Sequence, residues 1–220
     1  WIGQNIFSYA QWLACGYVVN CPESAATVTI DLKEIGPTYY FAPPRVFEGL
    51  LTSVMIRMED AGAIKRRMFH AFMRVAKRVG PIKMDGQSVS FMDGLLYALG
   101  NVLVYGPLRN SLGMRRVRVA YTAGEAIGPD LFTFYRSIGL NLKPLYGSSE
   151  TAVFVCPQPD HEARADTVCV PCSVVQLKLA DTRARLLTSP GWLQVFYNTP
   201  APPAAALTAD GCCPPGPLGF

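Results

Sequence analysis

Residues 116–151 constrain the fold more than any other part of the chain. An alternating buried strand, Val117-Arg118-Val119-Ala120-Tyr121, breaks into Ala123-Gly124-Glu125-Ala126-Ile127-Gly128. A helix then starts at Pro129 and stops at Gly139, the preferred places for Pro and Gly at helix ends. A second short strand, Leu142–Tyr146, breaks into Gly147-Ser148-Ser149-Glu150-Thr151. Strand, glycine-broken loop, helix and strand in this order predict an α/β fold. In open α/β sheets ligands bind outside the carboxyl ends of the strands, where these two loops would lie.

Composition agrees. Half of the 220 residues are hydrophobic and 16% are charged, which excludes a disordered tail or a coiled coil. The 19 Gly and 18 Pro suit a loop-rich mixed fold better than a helical bundle. The longest largely apolar stretch, Gly94–Tyr105, is too short to span a bilayer. Seven cysteines without regular spacing read as reduced thiols of a cytoplasmic protein rather than a disulfide framework. The chain opens on Trp1 without Met, and is expected to be a piece of something longer. Residues 61–118 carry a net charge of +9 within a total of +4, a block able to meet phosphates, nucleic acid or an anionic membrane.

Elsewhere the pattern predicts a helix near Asn5–Tyr17, a β-prone run at Thr27–Ile30 and a single helical turn over Asp31–Pro37. A strand follows at Tyr39–Ala42. Apolar residues at three- and four-residue steps make a helix from Arg45 through Met58. An amphipathic basic helix over 62–79 is expected to stop at Gly80-Pro81, and a third helix spans Phe91–Tyr105. Short β-like runs at Ala152–Cys156, Thr167–Val170, Val174–Leu179, Arg185–Leu187 and Trp192–Tyr197 suggest a small β-rich subdomain.

The two loops hold the candidate chemistry. Gly124 and Gly147 let backbone approach a ligand. Ser148, Ser149 and Thr151 offer hydroxyls to a phosphate. Glu150 offers the hard carboxylate that Mg²⁺ prefers, and Tyr146 a flat face for a purine. By themselves these residues fit a serine-rich turn with a capping Glu at least as well. Tyr146-Gly147-Ser148-Ser149-Glu150-Thr151 resembles, however, the Tyr-Gly-x-Thr-Glu motif of the AMP-binding, adenylate-forming superfamily. Tyr121–Pro129 resembles its Gly-Gly-Ala-Pro-Leu-Ser-Pro stretch at the expected distance. Asp31–Thr38, Pro44-Arg45-Val46-Phe47-Glu48 and the helical insert after them are similar to long-chain acyl-CoA synthetases in particular.

The resemblance implies a partial large α/β domain of that fold over 1–151 with an insert at about 45–112. Residues 152–220 would form part of a small β-barrel subdomain. It implies a fatty acid–CoA ligase using ATP, Mg²⁺ and CoA on a long-chain fatty acid. Gly124, Glu125 and Ala126 would line the adenine pocket with Tyr146 and Gly147, and Tyr146 would pack on the base. Ser149, with Thr151 beside it, would reach the α-phosphate, and Glu150 would hold Mg²⁺. Ser149 and Glu150 are thus the catalytic candidates.

Departures are also present. The phosphate loop and the lysine-bearing C-terminal domain of the family fall outside these 220 residues, and Pro217 stands where the family grips the ribose with Asp. The chain alone is therefore expected to be inactive. A non-catalytic nucleotide- or acyl-binding remnant and a peripheral membrane module are the alternatives. The basic helix 62–79 reads either as a surface helix packed on the domain or as a contact for anionic membrane. No nucleic-acid motif accompanies its charge. Cys169-Val-Pro-Cys172 reads as incidental thiols rather than half of a zinc site. Glu125 is either a ligand-side carboxylate or a cap for the helix at Pro129. His70 is expected at the surface, and His161 has no assigned role.

Overall fold

The computed structural model describes residue 3 and residues 5–147, 155–160, 163–167, 177–180 and 185–188. They fall into two compact units. The larger comprises residues 20–144 and 158–167, the smaller residues 1–19, 145–157 and 168–220.

In the larger unit, helix α3 (Val28–Ile35) precedes strand β1 (Tyr39–Phe41). Then come α4 (Pro44–Glu59), α5 (Ala63–Met84) and α6 (Phe91–Gly100). A π-helical stretch, Asn101–Tyr105, leads into α7 (Gly106–Ser111). Strand β2 (Val119–Thr122), helix α8 (Pro129–Ser137) and strand β3 (Leu142–Tyr146) complete the order. β1, β2 and β3 pair in parallel, with Phe41 opposite Tyr121 and Thr122 opposite Pro144. Parallel neighbours require a crossover connection, and α4–α7 and α8 supply them. In the smaller unit a π-helical turn α1 (Asn5–Ala10) runs into α2 (Gln11–Cys15). The last two residues of β3 pair antiparallel with β4 (Cys156–Pro157), and β5 (Leu177–Ala180) pairs with β6 (Arg185–Thr188). The mixed α/β class expected from the sequence is what the described residues adopt.

The core of the larger unit lies where the insert helices meet α8. Phe47, Phe69, Met73, Ala76, Leu131, Tyr135 and Ile138 are all buried there. The Tyr135 hydroxyl donates to Phe47 O at 2.7 Å, tying α8 to α4, and burial pushes its phenol well above the ordinary range. The Tyr105 hydroxyl donates to Phe72 O at 2.6 Å. Burial foremost, with Tyr97 second, pushes its pKa up to about 12.

Three local expectations are corrected. Val28-Thr29-Ile30 opens a helix rather than a strand, because Thr27 Oγ1 donates to Asp31 Oδ2 at 2.7 Å and Glu23 N donates to the same oxygen at 3.1 Å. Those bonds organise the first turn, and Gly36 closes the helix in the left-handed region at φ 54°. Helix α5 passes through Gly80 and Pro81 instead of stopping there. An internal Pro costs about 3 kcal/mol, so tertiary packing has to offset it. A Cβ at Gly80 would lie 2.5 Å from Ser137 O, so glycine is what lets α5 and α8 touch backbone to backbone. The third helix runs on past Tyr105, with a π turn in which Gly106 N donates to Asn101 O ahead of Pro107. Of the β-like runs after residue 151, 152–154, 168–170, 174–176 and 192–197 lie outside the described residues.

Among the described residues the thiol expectation fails at Cys156. Cys15 and Cys21 are free and exposed, but Cys156 is disulfide-bonded. Spacing along the chain does not reveal which sulfurs the fold brings together.

At the α5–α8 contact, Arg136 is 2% exposed and its Nη2 lies 2.6 Å from Asp85 Oδ1, at the C-terminal end of α5. Burial lowers the guanidinium pKa, and Asp85 opposes that shift. Removing one partner of such a pair leaves a buried charge uncompensated. Asp85→Ala is expected to cost about 3 kcal/mol, with Asp85→Asn costing less, both read as urea-denaturation midpoints at constant slope. An unchanged midpoint in Asp85→Ala would mean that water satisfies Arg136.

Candidate functional site

β2 alternates half-buried Val119 and Tyr121 with buried Ala120 and Thr122. Its parallel register with β3 sets Thr122 opposite Pro144. Immediately beyond Thr122 the chain turns at Gly124, whose φ of +98° lies in the left-handed region. Nothing lies within 4 Å of where a Cβ would be, so this glycine is required for conformation rather than for space. Glu125 and Ala126 follow, both exposed, and Ile127 is buried beneath them.

Glu125 does not cap α8. The N-cap is Gly128, with no side-chain hydrogen bond. Glu125 Oε1 instead lies 3.3 Å from Arg45 Nη2, with 57% and 80% of the side chains exposed. Such an exposed pair contributes roughly 0–1 kcal/mol, so the carboxylate can be exchanged to another partner at small cost.

A polar array along β2 and β3, before the loop, was not revealed by the sequence. Lys143 is 5% exposed in the middle of β3 and ion-pairs with Asp160. Its Nζ lies 5.8 Å from the centroid of the Tyr121 ring. Asn141 Nδ2 donates to Asp160 Oδ1 at 2.8 Å. The Tyr121 phenol is raised by burial and secondarily by Asp160. The available signal was Lys143 inside an otherwise apolar strand, since a buried Lys is rare unless paired.

Thr122 was also missed. Its hydroxyl is buried, yet makes no hydrogen bond among the described residues. A buried hydroxyl without a partner is costly, and this one sits where β2 gives way to the glycine loop.

In the smaller unit Tyr146 is half-buried, and its carbonyl accepts from Val155 N at 3.1 Å. Burial raises its phenol. Gly147 follows at intermediate exposure. Ser148, Ser149, Glu150 and Thr151 lie outside the described residues, as do His161, Cys169, Cys172 and Pro217. The structure thus brings Gly124, Glu125 and Ala126 together at the end of β2, with Thr122 beneath them. Among the described residues no group of three or more His, Cys, Asp or Glu gathers in a way that could hold a metal ion.

A parallel sheet with a glycine-broken loop after one of its strands places the chain among open α/β proteins, whose ligands bind outside the carboxyl ends of the strands. Residues 2–191 match the model of the AMP-binding enzyme family, and the chain belongs to that family. It is 26% identical over 197 residues to fadD11 of Mycobacterium tuberculosis, which bears a fatty-acid--CoA ligase name; the match covers 89% of this chain and 34% of that protein. It is 29% identical over 126 residues to the long-chain-fatty-acid--CoA ligase ACSBG2 of Xenopus laevis, covering 57% of this chain and 17% of that one. With the Drosophila melanogaster long-chain-fatty-acid--CoA ligase heimdall it shares 27% identity over 126 residues, 57% of this chain and 18% of that one. The chain spans about a third of the length of the first of these relatives.

If the Thr122 hydroxyl serves a bound nucleotide, Thr122→Val should leave thermal stability unchanged or raised. It should weaken AMP binding about 2- to 10-fold, the worth of one hydrogen bond, by isothermal titration. A drop in stability at unchanged affinity would show that the hydroxyl serves the fold.

Proposed function

We propose that this chain is the nucleotide-binding part of an ATP-dependent long-chain fatty acid–CoA ligase. The family match across residues 2–191 carries this conclusion. The ligase names of the relatives and the order of motifs support it. Residues 1–151, with the insert at about 45–112, would form the AMP-binding part, and 152–220 part of a β-rich subdomain.

In this reaction the fatty acid carboxylate oxygen attacks the α-phosphorus of ATP in line, and the bond to the bridging oxygen breaks to release pyrophosphate. The thiol of CoA then attacks the acyl carbonyl and gives up its proton to water, the acyl–oxygen bond breaks, and AMP leaves. Catalysis of the first step rests on positioning and on stabilising charge at the α-phosphate. Gly124, Glu125, Ala126 and Gly147 would border the adenine, and Tyr146 would stack on it. Ser149 and Thr151 would present hydroxyls to the phosphate. Glu150 would hold Mg²⁺, which when bound offsets phosphate charge.

The 220-residue polypeptide is expected to bind AMP without turning over. Pro217, at the position of the family's ribose-gripping Asp, has no side-chain acceptor. Isothermal titration should detect AMP, and ATP–pyrophosphate exchange with palmitate should give no signal. Failure to bind AMP would sink the nucleotide-site assignment, whereas exchange above background would overturn only the inactivity.

A peripheral contact with anionic membrane in the cytoplasm is a second element of the proposal. It is favoured by the exposed Lys65, Arg66, Arg67, Arg74, Lys77 and Arg78 along α5, whose apolar side is buried at Phe69, Met73, Ala76 and Val79. Among the described residues no helix is long and apolar enough to cross a membrane. Co-sedimentation with phosphatidylserine vesicles that falls with salt and disappears with phosphatidylcholine is the expected outcome. Equal binding to both vesicles would exclude an electrostatic contact.

A further inference from the structure

Away from the strand ends, a cleft of about 430 Å³ opens among α3, α4, the start of α5 and α7. That volume falls in the range of about 300–1,000 Å³ typical of small-molecule sites. Four cations line it, Lys33, Arg45, Arg57 and Lys65, and among the described residues no Asp or Glu does. Lys33, Arg57 and Lys65 form no ion pair among the described residues, and Arg45 reaches only the exposed Glu125.

Helix α4 builds the cleft from two adjacent four-residue rows. One reads Arg45, Gly49, Ser53, Arg57, with small residues between two cations. At Gly49 a Cβ would meet nothing within 4 Å, and the Ser53 hydroxyl is turned back onto Gly49 O at 2.9 Å. The middle of this row is therefore open. The neighbouring row reads Val46, Leu50, Val54, Met58 and is apolar along its whole length. Residues four apart share a helix face, so one wall offers charge beside an apolar row in which Val46, Leu50 and Met58 border the cleft and Val54 is buried at its floor.

We propose that this cleft binds a phosphate-bearing amphiphile, its apolar chain along Val46–Met58 and its phosphate among the cations. A carboxylate brings one negative charge, whereas a phosphate monoester brings about −1.5 to −2 at neutral pH, a better match to four clustered cations. Arg45 is shared between the cleft and Glu125 of the adenine-side loop, so an occupied cleft competes with Glu125 for Arg45. The proposal goes beyond the ligase assignment and does not depend on it.

The test is isothermal titration of the full 220-residue chain with decyl phosphate below its micelle threshold. Saturable one-to-one binding is expected. The exposed pair Arg57→Gln/Lys65→Gln should weaken it about tenfold or more, because charge-assisted bonds are lost. Arg66→Gln/Arg74→Gln, equally exposed on α5 but outside the cleft, should change it no more than about twofold through long-range charge. Circular dichroism would verify that both variants are folded. Decanoate should bind about fivefold more weakly or worse, and decyl maltoside not at all. Lysophosphatidate and decanoyl-CoA separate two sources of the same chemistry. Binding of either supports the site, and the tighter identifies the source. Absence of saturable decyl phosphate binding, equal loss in both double variants, decanoate or maltoside binding as tightly, or failure of both natural ligands would each overturn it.

Discussion

The parallel pairing of β2 with β3 is the constraint on which the rest depends. Two parallel neighbours cannot be joined by a tight turn, so the chain must leave the sheet and return. Helix α8 makes that return, and its buried face of Leu131, Phe132, Tyr135 and Ile138 becomes the surface on which the insert helices rest. The same pairing sets Thr122, just ahead of the Gly124 loop, opposite Pro144 of β3. One topological choice thereby supplies the core and the edge from which the Gly124 loop leaves β2.

Attaching the insert to α8 required unusual local chemistry. Gly80 touches the backbone of Ser137, Pro81 is retained within α5, and a buried Arg136 is neutralised by Asp85 one turn further on. Each feature is unfavourable in isolation, through glycine's entropy, proline's missing donor and desolvation of a charge. Together they let α5 continue past its local stop signal, because close packing on α8 outweighs the local cost. Lys143 follows the same logic in β3, tolerated inside the sheet because Asp160 neutralises it beneath Tyr121.

Charge is partitioned by face. On α5 the cations other than Lys65 are exposed outside the cleft, opposite a buried apolar stripe. Arg45 and Arg57 belong instead to a concave wall beside an apolar row. Arg45 joins that wall to Glu125 through a weak exposed pair. A net charge for the block could not separate these two arrangements, since it contains no geometry.

Much of the architecture was legible because it rests on local chemistry. Pro129 at a helix start, Gly139 at a helix stop, the apolar run Tyr39–Phe41 and the spacing of Phe47, Leu50, Val54 and Met58 act over a few residues. Membership of the AMP-binding enzyme family was equally legible, through the resemblance of 121–129 and 146–151 to its motifs as patterns of residue types. The failures are contacts between residues far apart in sequence: Asp85 with Arg136, Gly80 with Ser137, Glu125 with Arg45, Lys143 with Asp160. By itself the sequence determined the periods and the punctuation, which follow from steric preferences of single residues and their near neighbours, and the family, which follows from the order of residue types along the chain. Only the tertiary structure decided where α5 ends, which carboxylate neutralises each buried cation, and that Glu125 pairs rather than caps. Those outcomes depend on distances that chain separation does not encode.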